Sequence, residues 1–354
     1  MLSLIRHRLV RNISPVVILR QFSTCRPLLL AHSADSDVEF IHIPKPHIPE
    51  YNRNANKRHK NAIKRVLDNE YAYNSLETID MEERIFDKSV TKVVDTGYVP
   101  GNWMRYTLER LSELHGVDEE KLYKKCYVLG VDLLFQTPPN GVSTIQGNIF
   151  SKLTHKSVIT QLRQWTELNK QQKRKKDNDE EIDPKSYITK EQEELKLEHE
   201  ITGIENKLEN LSLDEYRADV VLSDLARPFM QSTGYYNNSM NTPYLRTYQN
   251  EPLKQVLTKP DKACIDLADA ALMLACRALR PGGTLVLRLE TVRTGDPETD
   301  LLRRRLDMVF NHVHIRRTDN SRGFSRDGDH ELYYICRNKR KDGEYDIRTI
   351  FNLE

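Results

Sequence analysis

The chain has 354 residues, 38% apolar and 30% charged, with a net charge of +2. That length supports one sizeable core with polar extensions, and a charge so near balance excludes reading a partner from the total. Five cysteines, Cys25, Cys126, Cys264, Cys276 and Cys336, stand without a CxxC pair or a His cluster at ligand spacing, which argues against a disulfide scaffold and a zinc site.

Residues 1–35, MLSLIRHRLVRNISPVVILRQFSTCRPLLLAHSAD, carry Arg6, Arg8, Arg11, Arg20 and Arg26 and no acidic residue before Asp35. Arginines interrupt every apolar run. The segment therefore reads as a mitochondrial transit peptide, with a processing point at Arg20-Gln21-Phe22-Ser23, rather than as a secretory signal or a disordered basic tail. No later apolar run approaches bilayer length, so no membrane span is expected. Residues 36–70 read as an extended Pro/His-rich linker, IHIPKPHIPEY, followed by a basic arm, NRNANKRHKNAIKRVL, of helical character.

The core pattern occupies 71–340. A strand, KVVD, leads through a Gly/Pro turn into WMRYTLERLSEL, whose apolar residues fall at helical spacing. A strand, CYVLGVDLL, and the segment STIQGNIF follow. This alternation predicts an α/β fold, a mostly parallel sheet with helices on both faces. The pattern breaks at about 162–216, a charged insert containing QQKRKKDNDEEIDPK and expected to be solvated. Within the insert, Leu197, Ile201, Ile204, Leu208 and Leu211 recur at steps of four and three and line one stripe of a helix. Such a stripe packs on its own domain or on a protein partner. The sheet pattern resumes at ADVVLSDLA, passes through the helix ACIDLADAALMLACRAL to an RPGG stop, and closes with the strands TLVLRLE and ELYYICRNK. Residues 341–354 read as a C-terminal tail.

Ligands of open parallel sheets bind outside the carboxyl ends of the strands. The stretch VVDTGYVPGNW places Asp95, Gly97, Pro100, Gly101 and Trp103 there, and Gly97 and Gly101 allow close approach of the backbone to a ligand. Asp132 ends the second strand, where a carboxylate can accept both hydroxyls of a ribose, and Asn148 ends the third, where an amide can meet an adenine edge. In that order, these residues point to a nucleoside site.

DxGxxPGxW at 95–103, GVD at 130–132, QGN at 146–148, SDLA at 223–226, the apolar helix ending in RPGG and the closing ELYYI together resemble the FtsJ-like family of RNA ribose 2′-O-methyltransferases. The resemblance is strongest to the mitochondrial branch acting on large-subunit ribosomal RNA, and it covers 71–340. It implies a Rossmann-like S-adenosylmethionine-dependent methyltransferase fold, and it leaves the leader, the basic arm and the charged helical insert outside. It also implies S-adenosylmethionine as cofactor, held by Asp95, Gly97, Pro100, Gly101, Trp103, Asp132 and Asn148, and ribosomal RNA or the mitochondrial large ribosomal subunit as partner. The family's Lys-Asp-Lys-Glu tetrad carries over as Asp224 and Glu331, with Asp327 a poorer occupant of the Glu role. The second Lys falls on Arg288 and the first on Ser75, or on Asn74 if the register slips by one.

The two replacements matter because lysine can lose its proton when buried, whereas arginine stays charged. Arg288 can orient a hydroxyl and stabilise oxyanion charge, but base catalysis falls to Asp224, Glu331, a water or another lysine. Two basic clusters, Arg53 to Arg65 and Arg303 to Arg326, are expected to contact RNA phosphates. Two readings follow: a mitochondrial matrix rRNA 2′-O-methyltransferase, or a catalytically weakened relative that acts as an RNA-binding factor in ribosome assembly.

Overall fold

The computed structural model describes residues 38–44, 46, 57–134, 136–177, 213–225, 230–231, 245–246, 260–293, 296–318 and 329–351, all within a unit spanning Asp37–Glu354. The leader and the Leu197–Leu211 stripe lie outside these residues.

Among the described residues, eight strands form one sheet. They are β1 (Val38–Ile41), β2 (Lys92–Thr96), β3 (Tyr127–Asp132), β4 (Ser143–Gln146), β5 (Ala218–Ser223), β8 (Leu279–Arg293), β9 (Phe310–Thr318) and β10 (Asp329–Lys339). Two further strands of two residues each, β6 (Met230–Gln231) and β7 (Leu245–Arg246), pair separately. The order is β1-β9-β10-β8-β5-β2-β3-β4. The β8-β5-β2-β3-β4 half is parallel, and β10 runs antiparallel to both its neighbours. The expected mostly parallel sheet is therefore present, with a reversed strand near one edge.

Helices cover both faces, as period-two strands buried on both sides require. The helices are α1 (Lys57–Glu83), α2 (Asn102–His115), α3 (Glu119–Leu122), α4 (Lys152–Asp177), α5 (Leu213–Tyr216), α6 (Pro260–Ala278), α7 (Pro297–Val309) and α8 (Ile347–Phe351). Val93, Val128, Leu222 and Val286 pack under Leu76 and Ile79 of α1 and Met104 and Leu111 of α2. Val94, Leu129, Val221 and Leu287 face Val158 and Leu162 of α4, Leu272 of α6 and Leu306 of α7. No helix among the described residues is long and apolar enough to cross a membrane. Cys126, Cys264, Cys276 and Cys336 are buried.

The structure revises four boundaries. Residues 38–41, expected to be linker, are extended but pair in parallel with β9 at the sheet edge, Ile41 opposite Thr318. The charged insert begins later than 162, because Leu162 is fully buried against the core and Thr166 nearly so; burying such a leucine stabilises by roughly 1.5–3 kcal/mol. RPGG is a bulge inside β8 rather than a turn: Ala218 pairs with Leu279 and Val220 already with Thr284. Residues 341–351 form no loose tail, since Ile350 is buried and its carbonyl accepts from Arg305 Nε at 3.2 Å.

Candidate active site

Alternation along the strands sends every second side chain to one face. Asp95 shares that face with Val93, Asp132 with Val128, and Arg288 with Val286, all on the α1/α2 side. Asp224 follows β5 by one residue, and Glu331 sits where the β10–β8 register shifts between His330 and Leu332. A bulge re-aims the side chain it carries, and here it brings Glu331 onto Arg288.

Arg288 bridges two carboxylates. Its Nε donates to Glu331 Oε1 at 2.5 Å, and its Nη1 donates to Asp224 Oδ1. The second Glu331 oxygen accepts from the Tyr71 hydroxyl at 2.8 Å, from a residue 260 positions away in the chain. The Asp224 side chain is 16% exposed against 6% for both Arg288 and Glu331. Of the three, Asp224 is the most exposed.

Ser75 is fully buried; its hydroxyl donates to Ala72 O at 2.7 Å and accepts from Trp103 Nε1 at 3.2 Å. The Trp103 indole also donates to Ala72 O at 3.0 Å and stacks on Tyr333, with ring centroids 6.5 Å apart. Trp103 is 2% exposed, so its ring lies in the core and serves the site by fixing α1 and Tyr333. Asn74 instead reaches outward, donating to Pro44 O at 3.3 Å. Tyr71 and Tyr333 are the site residues that reading the sequence misses. The signal was present for both: Tyr71 stands one helical turn before Ser75, and Tyr333 stands two residues after Glu331 on a strand.

The glycine turn holds the other half. A Cβ on Gly97, at φ +83, would lie 2.8 Å from Leu225 N and 2.9 Å from the Asp224 carbonyl carbon. The glycine therefore serves the close approach of the turn to the backbone after β5, a contact that seats Asp224, whose N–H donates to Thr96 O at 3.1 Å. Gly101, at φ +100, opens α2 and meets nothing closer than Tyr98 O at 3.7 Å, so it leaves space at the turn. Pro100, after a cis peptide bond, offers its carbonyl to Gln136 Nε2 at 3.0 Å.

Asp132 accepts from Val99 N–H at 3.1 Å through one oxygen and from Leu134 N–H at 2.8 Å through the other, tying the glycine turn to the end of β3. Burial raises its pKa to about 6 against those backbone hydrogen bonds. Asn148 Oδ1 accepts from Phe150 N–H at 3.0 Å, so the oxygen serves the turn and the NH₂ group remains to donate.

Asp95 is fully buried, and neither carboxylate oxygen has a hydrogen-bond partner among the described residues. Burial, reinforced by Asp224 and Asp132, holds its carboxyl well above the ordinary range. A buried carboxylate without a donor is costly, and a cation beside it removes that cost. S-adenosylmethionine carries two cationic groups, a sulfonium and an ammonium, so Asp95 fits the cofactor's charge as well as its place at the strand ends.

Three arginines of the 303–326 cluster pair with acids of the same chain. Arg303 lies 3.9 Å from Asp307, Arg305 pairs with Asp269, and Arg316 pairs with Glu83 at 2.5 Å. Of the 303–305 run, Arg304 is the exposed member. Arg322, Arg326 and the basic side chains at 53–65 lie outside the described residues.

A model of the FtsJ-like methyltransferases matches residues 72–339. The chain belongs to that family. It is 31% identical over 278 residues to rRNA methyltransferase 2, mitochondrial, of Saccharomyces cerevisiae, across 75% of this chain and 78% of the relative. It is also 32% identical over 87 residues to Ribosomal RNA large subunit methyltransferase E of Buchnera aphidicola, across 25% of this chain and 36% of that one. In this FtsJ-like methyltransferase, a guanidinium bridge joins Asp224 to Glu331, and a buried hydroxyl, Ser75, packs beneath Tyr333 and Trp103.

Proposed function

We propose that the chain is an S-adenosylmethionine-dependent methyltransferase of the mitochondrial matrix that methylates ribose 2′-hydroxyls of large-subunit ribosomal RNA. The observation that carries this reading is the Asp224–Arg288–Glu331 bridge, with Asp224 its most exposed member, beside the buried, donor-free Asp95. A binding-only factor gains nothing from an uncompensated Asp95, which disfavours the weakened-relative alternative.

When bound, S-adenosylmethionine supplies a methyl group made electrophilic by the sulfonium. Asp224 would accept the 2′-hydroxyl proton as that oxygen takes the methyl group. Arg288 stays charged throughout, so its part is to aim Asp224 and to stabilise charge developing on the ribose oxygen. Glu331 and Tyr71 hold the guanidinium in place. Asp132 accepts the cofactor's ribose hydroxyls, and Gly97, Gly101 and Asn148 shape its pocket.

Purified chain given labelled S-adenosylmethionine and a transcript of mitochondrial large-subunit rRNA is expected to transfer label to ribose, seen as a phosphodiester that resists alkaline cleavage. Label on a base, or no transfer to RNA, overturns the reading. For location, a reporter fused to residues 1–40 should enter mitochondria, and Glu in place of Arg6, Arg8, Arg11 and Arg20 should keep it in the cytosol. Import that survives those changes removes the argument.

The raised pKa of Asp132 makes binding pH-dependent. Its carboxyl holds a proton more tightly folded than unfolded, so its contribution to stability is fullest below the unfolded value of 3.8 and is lost as pH rises through about 6. Cofactor binding runs the other way, because ribose hydroxyls need the carboxylate as acceptor. Affinity should fall about tenfold per pH unit below the folded value, and Asp132→Asn should lower affinity and flatten the profile. Calorimetry from pH 5 to pH 8 reads both; a profile unchanged in Asp132→Asn excludes Asp132 from cofactor binding.

A further inference from the structure

A cavity of about 920 Å³ lies away from the candidate active site, lined by α4, the end of α6, Tyr216-Arg217 and the chain after β10. Its helices cover the sheet face opposite the one that carries Asp95, Asp224 and Arg288. Five Lys and Arg side chains line it, Lys152, Arg163, Arg217, Arg277 and Arg348, against two acids, Asp342 and Asp346.

The acids are already occupied. Asp342 pairs with Arg217 at 2.5 Å and with Lys339 at 3.0 Å, and both cations hold its carboxyl below its ordinary range despite partial burial. Asp346 accepts from Arg348 N–H at 3.1 Å and from the Thr349 hydroxyl at 3.0 Å, opening α8. The cations keep unused donors. Arg217 is 6% exposed; its Nη1 lies 2.5 Å from Asp342 and 4.0 Å from Asp214, while its Nε has no hydrogen-bond partner among the described residues. Arg163 donates through Nη2 to the Tyr216 hydroxyl at 2.7 Å and stacks on that ring at 4.3 Å, while its buried Nε has no hydrogen-bond partner among the described residues.

His155 sets a third guanidinium. Burial lowers its pKa, so the ring is neutral; Nε2–H donates to Ile149 O at 2.6 Å, and Nδ1 is left to accept from Arg277 Nη1 at 3.5 Å. Phe150, an exposed aromatic, stands at the end nearest Asn148.

We propose that this cavity is a second ligand site that binds a phosphate group, held by the Arg163, Arg217 and Arg277 guanidinium groups. Guanidinium forks match phosphate oxygens in charge and geometry, and a volume of this order holds a nucleotide. The phosphate comes either from the backbone of an RNA strand, a source that rests on the RNA-methyltransferase reading, or from a free nucleotide or inorganic phosphate.

The test titrates the full chain with inorganic phosphate and, separately, with a five-nucleotide oligouridylate, in wild type, Arg163→Gln and Arg277→Gln. S-adenosylmethionine affinity serves as the control for folding. Each variant should weaken binding by about tenfold while cofactor affinity stays within about twofold of wild type. Loss for both probes assigns the site to the phosphate group alone. Loss for the oligonucleotide, with no phosphate binding in any chain, assigns it to the RNA backbone. Equal affinity of wild type and both variants for every probe, or no binding of either probe by wild type, overturns the proposal. Methyl transfer, read separately, distinguishes that outcome from failure of the methyltransferase reading.

Discussion

Asp224→Ala is expected to lower methyl transfer by about 10³-fold, within the range that a positioned base contributes, while S-adenosylmethionine affinity changes by less than about threefold. The reason is accessibility joined to chemistry. Arg288 cannot take a proton, Glu331 is held between Arg288 and Tyr71, and Ser75 is sealed in the core under Trp103. Among the tetrad positions, that leaves Asp224 as the group able to accept the hydroxyl proton. Asp224→Asn separates its two roles, because an amide oxygen can still accept from Arg288 but the group no longer serves as a base. If the Asn variant loses as much rate as the Ala variant, proton acceptance is the main role. An Asn variant as fast as wild type would remove Asp224 as base and leave it a positioning residue.

The second large effect concerns stability. Arg288→Ala should destabilise the fold by about 3–5 kcal/mol, the usual cost of breaking a buried ion pair by removing one partner, lowering Tm by roughly 10 °C. Two carboxylates depend on this cation, and Glu331 is as buried as the arginine itself. Arg288→Lys keeps the charge but replaces a fork that reaches Glu331 through Nε and Asp224 through Nη1 with a single ammonium. It should therefore melt between the other two. Melting of Arg288→Ala within about 2 °C of wild type would mean that the bridge is not structural. The lysine variant carries a kinetic consequence too: a buried ammonium can lose its proton, so a rate that rises with pH in Arg288→Lys but not in wild type would show a base restored to the position.

The sequence by itself determined the parts of this protein that depend on neighbours along the chain. The strands β2, β3 and β5 are continuous apolar runs bounded by turn residues, and burial on both faces leaves no other reading of them. The turn at Gly97 to Gly101, Asp132 at the end of β3 and Asp224 just after β5 follow from those strands, so the outline of the site was legible, as was the family. Only the tertiary structure decided the rest. β1, VEFI, is the edge strand and β9, FNHVHIRRT, lies between it and β10; no local period signals the pairing of either, because β1 needs only one partner and β9 is rich in polar and charged residues. RPGG reads as a stop in the chain and becomes a bulge only because β5 demands a partner beyond it. Gly97, which alone suggests approach to a ligand, is required by the backbone of Asp224 and Leu225. Trp103, which the motif places at the cofactor, packs into the core because α1 supplies a carbonyl and a hydroxyl for its indole. The arginines at 305 and 316, which alone read as part of a phosphate surface, are paired with Asp269 and Glu83. Tyr71 meets Glu331 across 260 residues. In each case the deciding partner is distant in the chain, and a charged or aromatic side chain carries no local mark of which distant group will satisfy it.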